Sequence, residues 1–457
     1  MTVPPVSAGA DVNPQCRFIG GFESTFLPGH GVDGFQTTGH DRRRTADLEA
    51  LRASGVTWLR YPVRWHRIEA SAGAYDWRET DRTLGWLRDA GMEPILDLVH
   101  HTSYPTWLDG GFGDPRFPGT YLRFAEAVAG RYPWLPAYTL FNEPFVTMFL
   151  AGHQAIWPPY RHGLEGFVAL LANVLPALVE AARGWRAALP GARHLWVESC
   201  EHHGAAPGSA AADHAALAND RRFVILDLAL GHDLDPSDRP FLRRLLQAGG
   251  EGLLGLGPVQ VDQLGLDYYP QSEWWYDGSG SRAPSPHPVG LAALAAQYGE
   301  RYRLPMVLAE TNIRGFPTDR ASWLRYTLEQ YELAVASGVP LEGYCWFPTV
   351  DSCDWDSLLA RPARRIDPVG VWALEPDGTT RRTSMTLAWE AAAAGAPVSL
   401  LPAYRFQQPV ASRLAGFLPQ MSHWPWVDPP PRERVPPVDL QPAAMSLSIP
   451  TPTARSA

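Results

Sequence analysis

The stretch WLPAYTLFNEPFVTMFLAGHQAIWPP, residues 134 to 159, places an amide and a carboxyl side chain at the end of a buried strand. Its apolar run, Ala137 to Phe141, has the length typical of a strand buried on both faces. Asn142 and Glu143 follow the run, and Pro144 ends it because proline cannot donate a hydrogen bond to a sheet. A glutamate at this point is either an ordinary solvated side chain or an acid–base catalyst on a rigid rim. The choice depends on whether the chain supplies a second carboxylate.

Size and composition allow a large enzyme or binding protein and disfavour two other classes. The chain has 457 residues, of which 45% are hydrophobic, and α/β barrels of such a size often form one domain. The net charge of -9 disfavours a surface for nucleic acid or anionic membranes. No apolar run approaches the roughly 18 residues of a transmembrane helix. Residues 1–15 lack the basic start and apolar centre of a signal peptide.

The cysteines give no sign of a metal site. Their spacing matches neither a CxxC motif nor a zinc site, and they are Cys16, Cys200, Cys345 and Cys353. We therefore expect a reduced, cytoplasmic protein that uses no cofactor or metal. The sequence leaves the oligomeric state open.

Eight strand-like runs alternate with helical patterns along the chain. The predicted strands are Phe18–Phe22, Val56–Tyr61, Glu93–His100, Ala137–Asn142, His194–Ser199, Val261–Asp267, Met306–Glu310 and Glu342–Phe347. The predicted helices are His40–Ser54, Asp76–Ala90, Tyr121–Arg131, Phe167–Leu189, Ala215–Leu230, Leu291–Tyr302, Arg320–Ser337 and Ser384–Ala394. Such alternation predicts βαβ units, and eight units predict a (β/α)8 TIM barrel with enlarged βα loops. The alternative, an open doubly wound sheet, would need a Gly-rich nucleotide turn after its first strand, and the sequence has none.

The domain prediction follows from this pattern. We expect a disordered lead at residues 1–15, the barrel at 16–395, and a Pro-rich tail at 396–457 that is extended or partly disordered. Alternatively, Trp424 and Trp426 pin part of the tail to the barrel.

The active site of such a barrel lies where the C-terminal ends of the strands meet. The side chains at these ends are Arg60, His100, His101, Asn142, Glu143, Asp267, Tyr268, Tyr269, Glu310, Trp346 and Phe347, with Asp354 and Trp355 on the last loop. Strands four and seven are nearly opposite, so Glu143 and Glu310 are expected to face each other across the mouth. Two carboxyl groups about 5–5.5 Å apart suit glycosidic cleavage with retention, and about 6.5–9.5 Å suits inversion.

The same stretches resemble a known family. VTWLRYPVRWHRIE, EPILDLVHH, YTLFNEP, LGLDYYP, MVLAETN and GYCWFPTVDSCDWD occur in the order found in glycoside hydrolase family 1, between Phe18 and Ala394. The chain looks most like a divergent bacterial branch of this family of (β/α)8 retaining glycosidases. The resemblance implies a retaining β-glycosidase acting on a soluble glycoside, glycoconjugate or glycolipid.

The resemblance also implies a role for each site residue. Glu143 falls on the acid/base, Glu310 on the nucleophile, and Asn142 on the residue that binds the 2-hydroxyl. Arg60 and Tyr269 fall on the groups that hydrogen-bond the nucleophile. The residues expected at the glycon, the sugar unit that is transferred, are His100, Trp346, Asp354 and Trp355, with His101 behind them. Trp346 is preferred over Phe347 for the strand-eight tryptophan.

Three departures from the family pattern leave the sugar open. Glu23 is the nearest polar residue to a Gln that the family uses for the 3- and 4-hydroxyls. Asp267 stands where the family has Asn. Asp354 is shorter than the family's Glu.

Other functions remain open at this stage. A transglycosidase would use the same residues, whereas a non-catalytic carbohydrate-binding barrel would be expected to lack a catalytic carboxylate. A scaffolding protein would act through the tail. A phosphoglycosidase would bind phosphate through Arg361, Arg364 or Arg365. The run from Glu201 to His203 lacks HExxH spacing and is expected to line a loop or contact substrate rather than bind a metal.

Overall fold

The computed structural model describes residues 16–404. The predicted lead at 1–15 and the tail from residue 405 onward, including Trp424 and Trp426, lie outside the described residues.

Eight parallel strands close into a barrel. They are β1 Arg17–Gly21, β2 Trp58–Pro62, β3 Glu93–Asp97, β4 Ala137–Thr139, β5 Arg193–Ser199, β6 Gln263–Asp267, β7 Met306–Glu310 and β8 Leu341–Cys345. Each strand pairs with its neighbours in sequence, and β1 pairs with both β2 and β8. The predicted (β/α)8 barrel is therefore confirmed.

Helices connect the strands and cover the outside of the barrel. The longer ones are α1 His40–Ala53, α2 Arg78–Asp89, α3 Phe117–Arg131, α4 Gly163–Ala188, α5 Ala211–Arg221, α6 Val224–Leu230, α7 Leu291–Tyr302, α8 Pro317–Ala336 and α9 Ser384–Ala393. Shorter helices are Gly34–Thr37, Trp65–Ile68, Pro144–Met148 and Pro240–Leu245. The single helix predicted over Ala215–Leu230 is two helices, and the break between them lets the Phe223 ring pack 5.0 Å from that of Tyr298.

The core has two layers because strand side chains point alternately into and out of the barrel. The inner layer consists of Ile19, Ile95, Ala137, Leu195, Val197, Val307, Ala309, Cys345 and Phe347. The outer layer is larger and lies between the strands and the helices. The inner layer supports the floor of the site at the C-terminal ends of the strands.

Within residues 16–404, one helix is long and apolar enough to cross a membrane by length and composition alone. In α4, 56% of the most apolar 18-residue window is buried in the fold. Its Trp185 indole donates a hydrogen bond to the Ala125 carbonyl of α3 at 2.9 Å. These contacts are those of a core helix.

The last described residues pack onto α8. Val398 and Leu401 are buried, and Arg325 donates a hydrogen bond to the Leu401 carbonyl at 2.9 Å. Ser322 and Tyr404 exchange further bonds. The packed part of the chain therefore extends past residue 395.

Candidate active site

A cavity of about 320 Å³ opens at the C-terminal ends of the strands. Glu143 after β4 and Glu310 at the end of β7 both line it. Glu23, Tyr269 and Trp355, which follow β1, β6 and β8, line it as well. The barrel thus brings the two predicted carboxylates to one space, as their positions on opposite strands require.

Three side chains donate hydrogen bonds to the Glu310 carboxylate. Arg60 Nη1 lies 2.6 Å from Oε1, and the Tyr269 hydroxyl lies 2.6 Å from Oε2. Asn142 Nδ2 adds a longer bond to Oε1 at 3.3 Å. Charge-assisted bonds of this kind are the strong ones in proteins, so the orientation of Glu310 is fixed and its negative charge is matched.

Arg60, at the end of β2, donates hydrogen bonds to side chains at the ends of three other strands. Besides Glu310, its guanidinium donates to Asn142 Oδ1 at 2.6 Å and to Asp97 Oδ2 at 3.3 Å. Asp97 also pairs with His100 Nδ1 at 2.7 Å. Sequence reasoning missed Asp97. The available signal was a carboxylate inside the otherwise apolar strand EPILDLVH, because a buried charge needs a partner.

Glu143 has an unusual backbone conformation. Its φ of 45° and ψ of 60° lie in the left-handed region, which costs a non-glycine residue on the order of 1–3 kcal/mol. Its own N–H donates to the Val197 carbonyl at 3.2 Å. The Phe145 N–H, two residues on, donates to Glu198 Oε2 at 3.2 Å. Both contacts come from β5, which therefore fixes the turn that carries Glu143.

The surroundings of Glu143 favour its protonated form. Burial, followed by the charge of Glu310, raises the pKa of Glu143 well above its usual value. His101 Nε2 is 3.8 Å from Glu143 Oε2, but burial and the neighbouring His100 lower the pKa of His101 well below its usual value. A neutral His101 supplies no counter-charge, so it does not oppose the raised pKa of Glu143.

Glu23 provides a second acidic group in the cavity wall. Its Oε1 accepts a hydrogen bond from the Thr25 N–H at 2.7 Å and lies 4.0 Å from His100 Nε2. Burial raises the pKa of Glu23, and His100 opposes this shift. His101 borders the cavity. His100 is buried between Glu23 and Asp97, and its contact with the sugar stays a prediction.

Trp346 does not reach the cavity. The β8 strand ends at Cys345, and its side chains alternate, so Cys345 and Phe347 belong to the inner layer while Trp346 belongs to the outer one. The Trp346 indole N–H donates to the Val369 carbonyl at 2.8 Å. Phe347 lines the cavity instead, which corrects the expectation that Trp346 contacts the sugar.

Asp354 has no exposed surface and does not line the cavity. Its carboxylate accepts hydrogen bonds from the N–H groups of Ala363, Arg364 and Arg365 at 3.0, 2.8 and 3.0 Å. This corrects the expectation of a sugar contact: Asp354 organises the loop after β8. The next residue, Trp355, lines the cavity.

Asp267, at the end of β6, also lines the cavity. Within residues 16–404 neither of its carboxyl oxygens has a hydrogen-bond partner. Burial, and then the charge of Glu310, raises the pKa of Asp267 well above its usual value. A protonated Asp267 is neutral, as an asparagine would be.

Glu201 lies on the cavity wall. Its Oε2 is 3.2 Å from His203 Nε2. Burial would raise the pKa of Glu201, but this bond and the charges of His203, Arg221 and Arg282 lower it to about 2. Arg361, Arg364 and Arg365 do not line the cavity.

The comparisons with known proteins point to one kind of fold. No family model matches the chain. The β-glucosidase from Thermotoga maritima in complex with glucoimidazole superposes with a TM-score of 0.68 at 16% identity, covering 79% of this chain and 88% of that chain. The family 1 β-glucosidase from Thermotoga maritima in complex with isofagomine lactam gives a TM-score of 0.67 at 16% identity, covering 79% and 88%. The expected structural resemblance is therefore confirmed at the level of the fold.

Proposed function

We propose that this protein is a retaining β-glycosidase acting on a glycoside or glycoconjugate. One observation carries the proposal: a carboxylate held by three donors, Glu310, and a buried carboxyl whose pKa is raised, Glu143, line the same cavity. A carboxyl with a raised pKa that can protonate the leaving oxygen, together with a second, fixed carboxylate that can attack, is what acid-assisted displacement at a sugar carbon requires. The shared fold with β-glucosidases supports a glycosidase.

In the first step Glu310 attacks the anomeric carbon of the substrate. The bond from that carbon to the glycosidic oxygen breaks as the proton of Glu143 passes to the same oxygen, which leaves as a neutral alcohol. Arg60 and Tyr269 keep the attacking carboxylate in place. The products of the step are a glycosyl ester on Glu310 and an ionised Glu143.

In the second step water enters where the alcohol has left. Glu143 takes a proton from this water as its oxygen attacks the anomeric carbon, and the ester bond to Glu310 breaks. Both carboxyl groups return to their starting protonation states. Two inversions give a sugar of unchanged anomeric configuration.

A transglycosidase would follow the same steps with a sugar or lipid hydroxyl in place of water. The same residues serve both reactions, so the products decide between them. A non-catalytic sugar-binding barrel is the third alternative, and the arrangement around Glu310 argues against it because binding alone does not need a fixed carboxylate beside a protonated one. Cytoplasmic location stays a prediction.

The test is the stereochemistry of the product from a panel of aryl β-glycosides that differ only in the sugar. Proton NMR should show the β-anomer of the free sugar first, and first appearance of the α-anomer would contradict retention. Glu310→Ala should abolish turnover, and azide should restore it with formation of the α-glycosyl azide. Glu93→Ala, an exposed change at the opposite end of the barrel, should behave as wild type. If no glycoside of the panel is turned over, a non-catalytic sugar-binding barrel becomes the better interpretation.

A further inference from the structure

We infer that the subsite for the leaving group takes an apolar alcohol, alkyl or aryl, rather than a second sugar. This inference rests on the proposed function and adds the chemical class of the aglycon, the group released in the first step. It is carried by the side chains that border the cavity next to Glu143.

The position of the aglycon follows from the chemistry. Glu310 attacks one face of the anomeric carbon, so the leaving group departs from the opposite face, where Glu143 protonates it. The chain directly after Glu143 lines the cavity at this place with four apolar side chains, Phe145, Val146, Phe149 and Leu150. They lie on the short helix Pro144–Met148 and on the turn that continues it. The acid and this surface therefore have a fixed relation to each other.

Apolar side chains from other loops extend this surface. We call the whole set the apolar wall: Phe145, Val146, Phe149, Leu150, Trp274, Ile313 and Leu358. Val146, Phe149 and Leu358 are only partly buried, so part of their apolar surface stays uncovered in the cavity. Covering such surface with a ligand's hydrocarbon is favourable in proportion to the area removed from water.

Three charged side chains beside the apolar wall have partners within the protein. The Arg221 guanidinium lies 4.6 Å from the centre of the Phe149 ring, and Arg282 lies 4.0 Å from that of Trp274. Glu201 pairs with His203. The hydroxyl groups of a sugar that face the apolar side chains of the wall would lose water without gaining a hydrogen-bond partner there, which is costly.

Three substrates with the same glycon isolate the effect of the aglycon on kcat/KM. The glycon is the best one from the aryl panel, and the aglycons are octanol, methanol and a second sugar. Octanol and methanol are leaving groups of similar acidity, whereas a sugar hydroxyl leaves more easily. We expect kcat/KM for the octyl glycoside to exceed that for the disaccharide and that for the methyl glycoside by at least about tenfold, the usual scale for a buried apolar contact.

Two variants then test the apolar wall itself. Phe149→Ala should lower kcat/KM for the octyl glycoside by about tenfold or more and leave the methyl glycoside unchanged. Val146→Thr keeps the shape of its side chain and places a hydroxyl in the wall, so it should act in the same direction even where Phe149→Ala folds poorly. Leu333→Ala removes an exposed leucine of α8 and is the matched control, expected to change neither substrate.

The outcomes separate this inference from the proposed function. If no aryl glycoside is cleaved, the proposed function fails and the inference with it. Equal or better cleavage of the disaccharide, with aryl glycosides still cleaved, would overturn the inference alone. Equal losses on octyl and methyl glycosides in both variants would show that the apolar wall only supports the fold, which also overturns it.

Discussion

At the end of β6 two adjacent tyrosines point in opposite directions. The Tyr269 hydroxyl donates to Glu310 Oε2 at 2.6 Å inside the cavity. The Tyr268 hydroxyl donates to Glu273 Oε1 at 2.8 Å in the outer layer. The pair shows that alternation along a strand decides which of two identical side chains belongs to the site.

Removing the Tyr269 hydroxyl should therefore slow the reaction. Tyr269→Phe keeps the ring and deletes one bond to the attacking carboxylate, and a hydrogen bond to a charged group is worth about 1.5–3 kcal/mol. We expect kcat to fall by about 10- to 100-fold, measured at saturating substrate. Tyr268→Phe is the matched control and should leave kcat within about twofold while lowering stability. Similar losses of kcat in both variants would contradict a specific role for Tyr269.

The same alternation explains which site residues could be predicted from the sequence. Glu143 and Glu310 follow apolar runs whose ends are clear, so their place on the rim could be inferred. Trp346 was misplaced because Trp346 and Phe347 are adjacent aromatic residues that face opposite sides of the barrel wall, and an error of one residue exchanges the two faces. Asp97 was missed because its partner Arg60 is 37 residues away in the chain.

At the scale of elements, the loop after β8 is held by one carboxylate. Asp354 has a φ of 62° and accepts three backbone N–H groups from residues 363 to 365. The Trp355 N–H in turn donates to Asp367, which pairs with Arg314. This geometry is a property of the folded loop, and a motif in the sequence cannot distinguish it from a sugar contact.

Asp354→Ala should therefore act mainly on stability. Three N–H groups would lose a charged acceptor in a buried place, and we expect the free energy of unfolding to fall by about 3–5 kcal/mol, measured by urea denaturation. Asp356→Ala removes a more exposed carboxylate of the same loop, paired with Arg365, and should cost under about 1 kcal/mol. A large rise of KM with unchanged stability in Asp354→Ala would instead favour direct contact with the sugar.

At the scale of the whole molecule, closure of the barrel places the C-terminal ends of all eight strands around one rim. Because the eight parallel strands are in sequence order, alternation alone predicted both the fold and the meeting of β4 with β7 across the mouth. The shape of the cavity could not be predicted, since its apolar wall comes from the chain after β4 and from the β6, β7 and β8 loops. Those side chains are far apart in the chain and on loops, whose conformation strand–helix alternation does not predict.

The rim also links the stability of the whole protein to pH through Glu198. Burial raises the pKa of Glu198 to about 8, although Trp196 and the Phe145 N–H donate to it and oppose the shift. In the unfolded chain a glutamate has a pKa of about 4.3. The native state thus binds more protons between these values, so the contribution of Glu198 to stability is greatest at low pH and is lost as the pH rises toward 8.

Glu198→Gln should remove this dependence. The difference in unfolding free energy between variant and wild type should move in favour of the variant from pH 5 to pH 8, by at most about 4 kcal/mol at ~1.36 kcal/mol per unit. Urea denaturation at several pH values measures the slope. Any cost of orienting the new amide toward the Phe145 N–H is the same at every pH, so it does not change the slope.

Glu180→Gln on the exposed surface of α4 controls for the change in net charge. If the unfolding free energies of Glu198→Gln and wild type change in parallel with pH, Glu198 is already ionised beneath the turn of Glu143. That result would contradict a neutral Glu198 that supports Glu143.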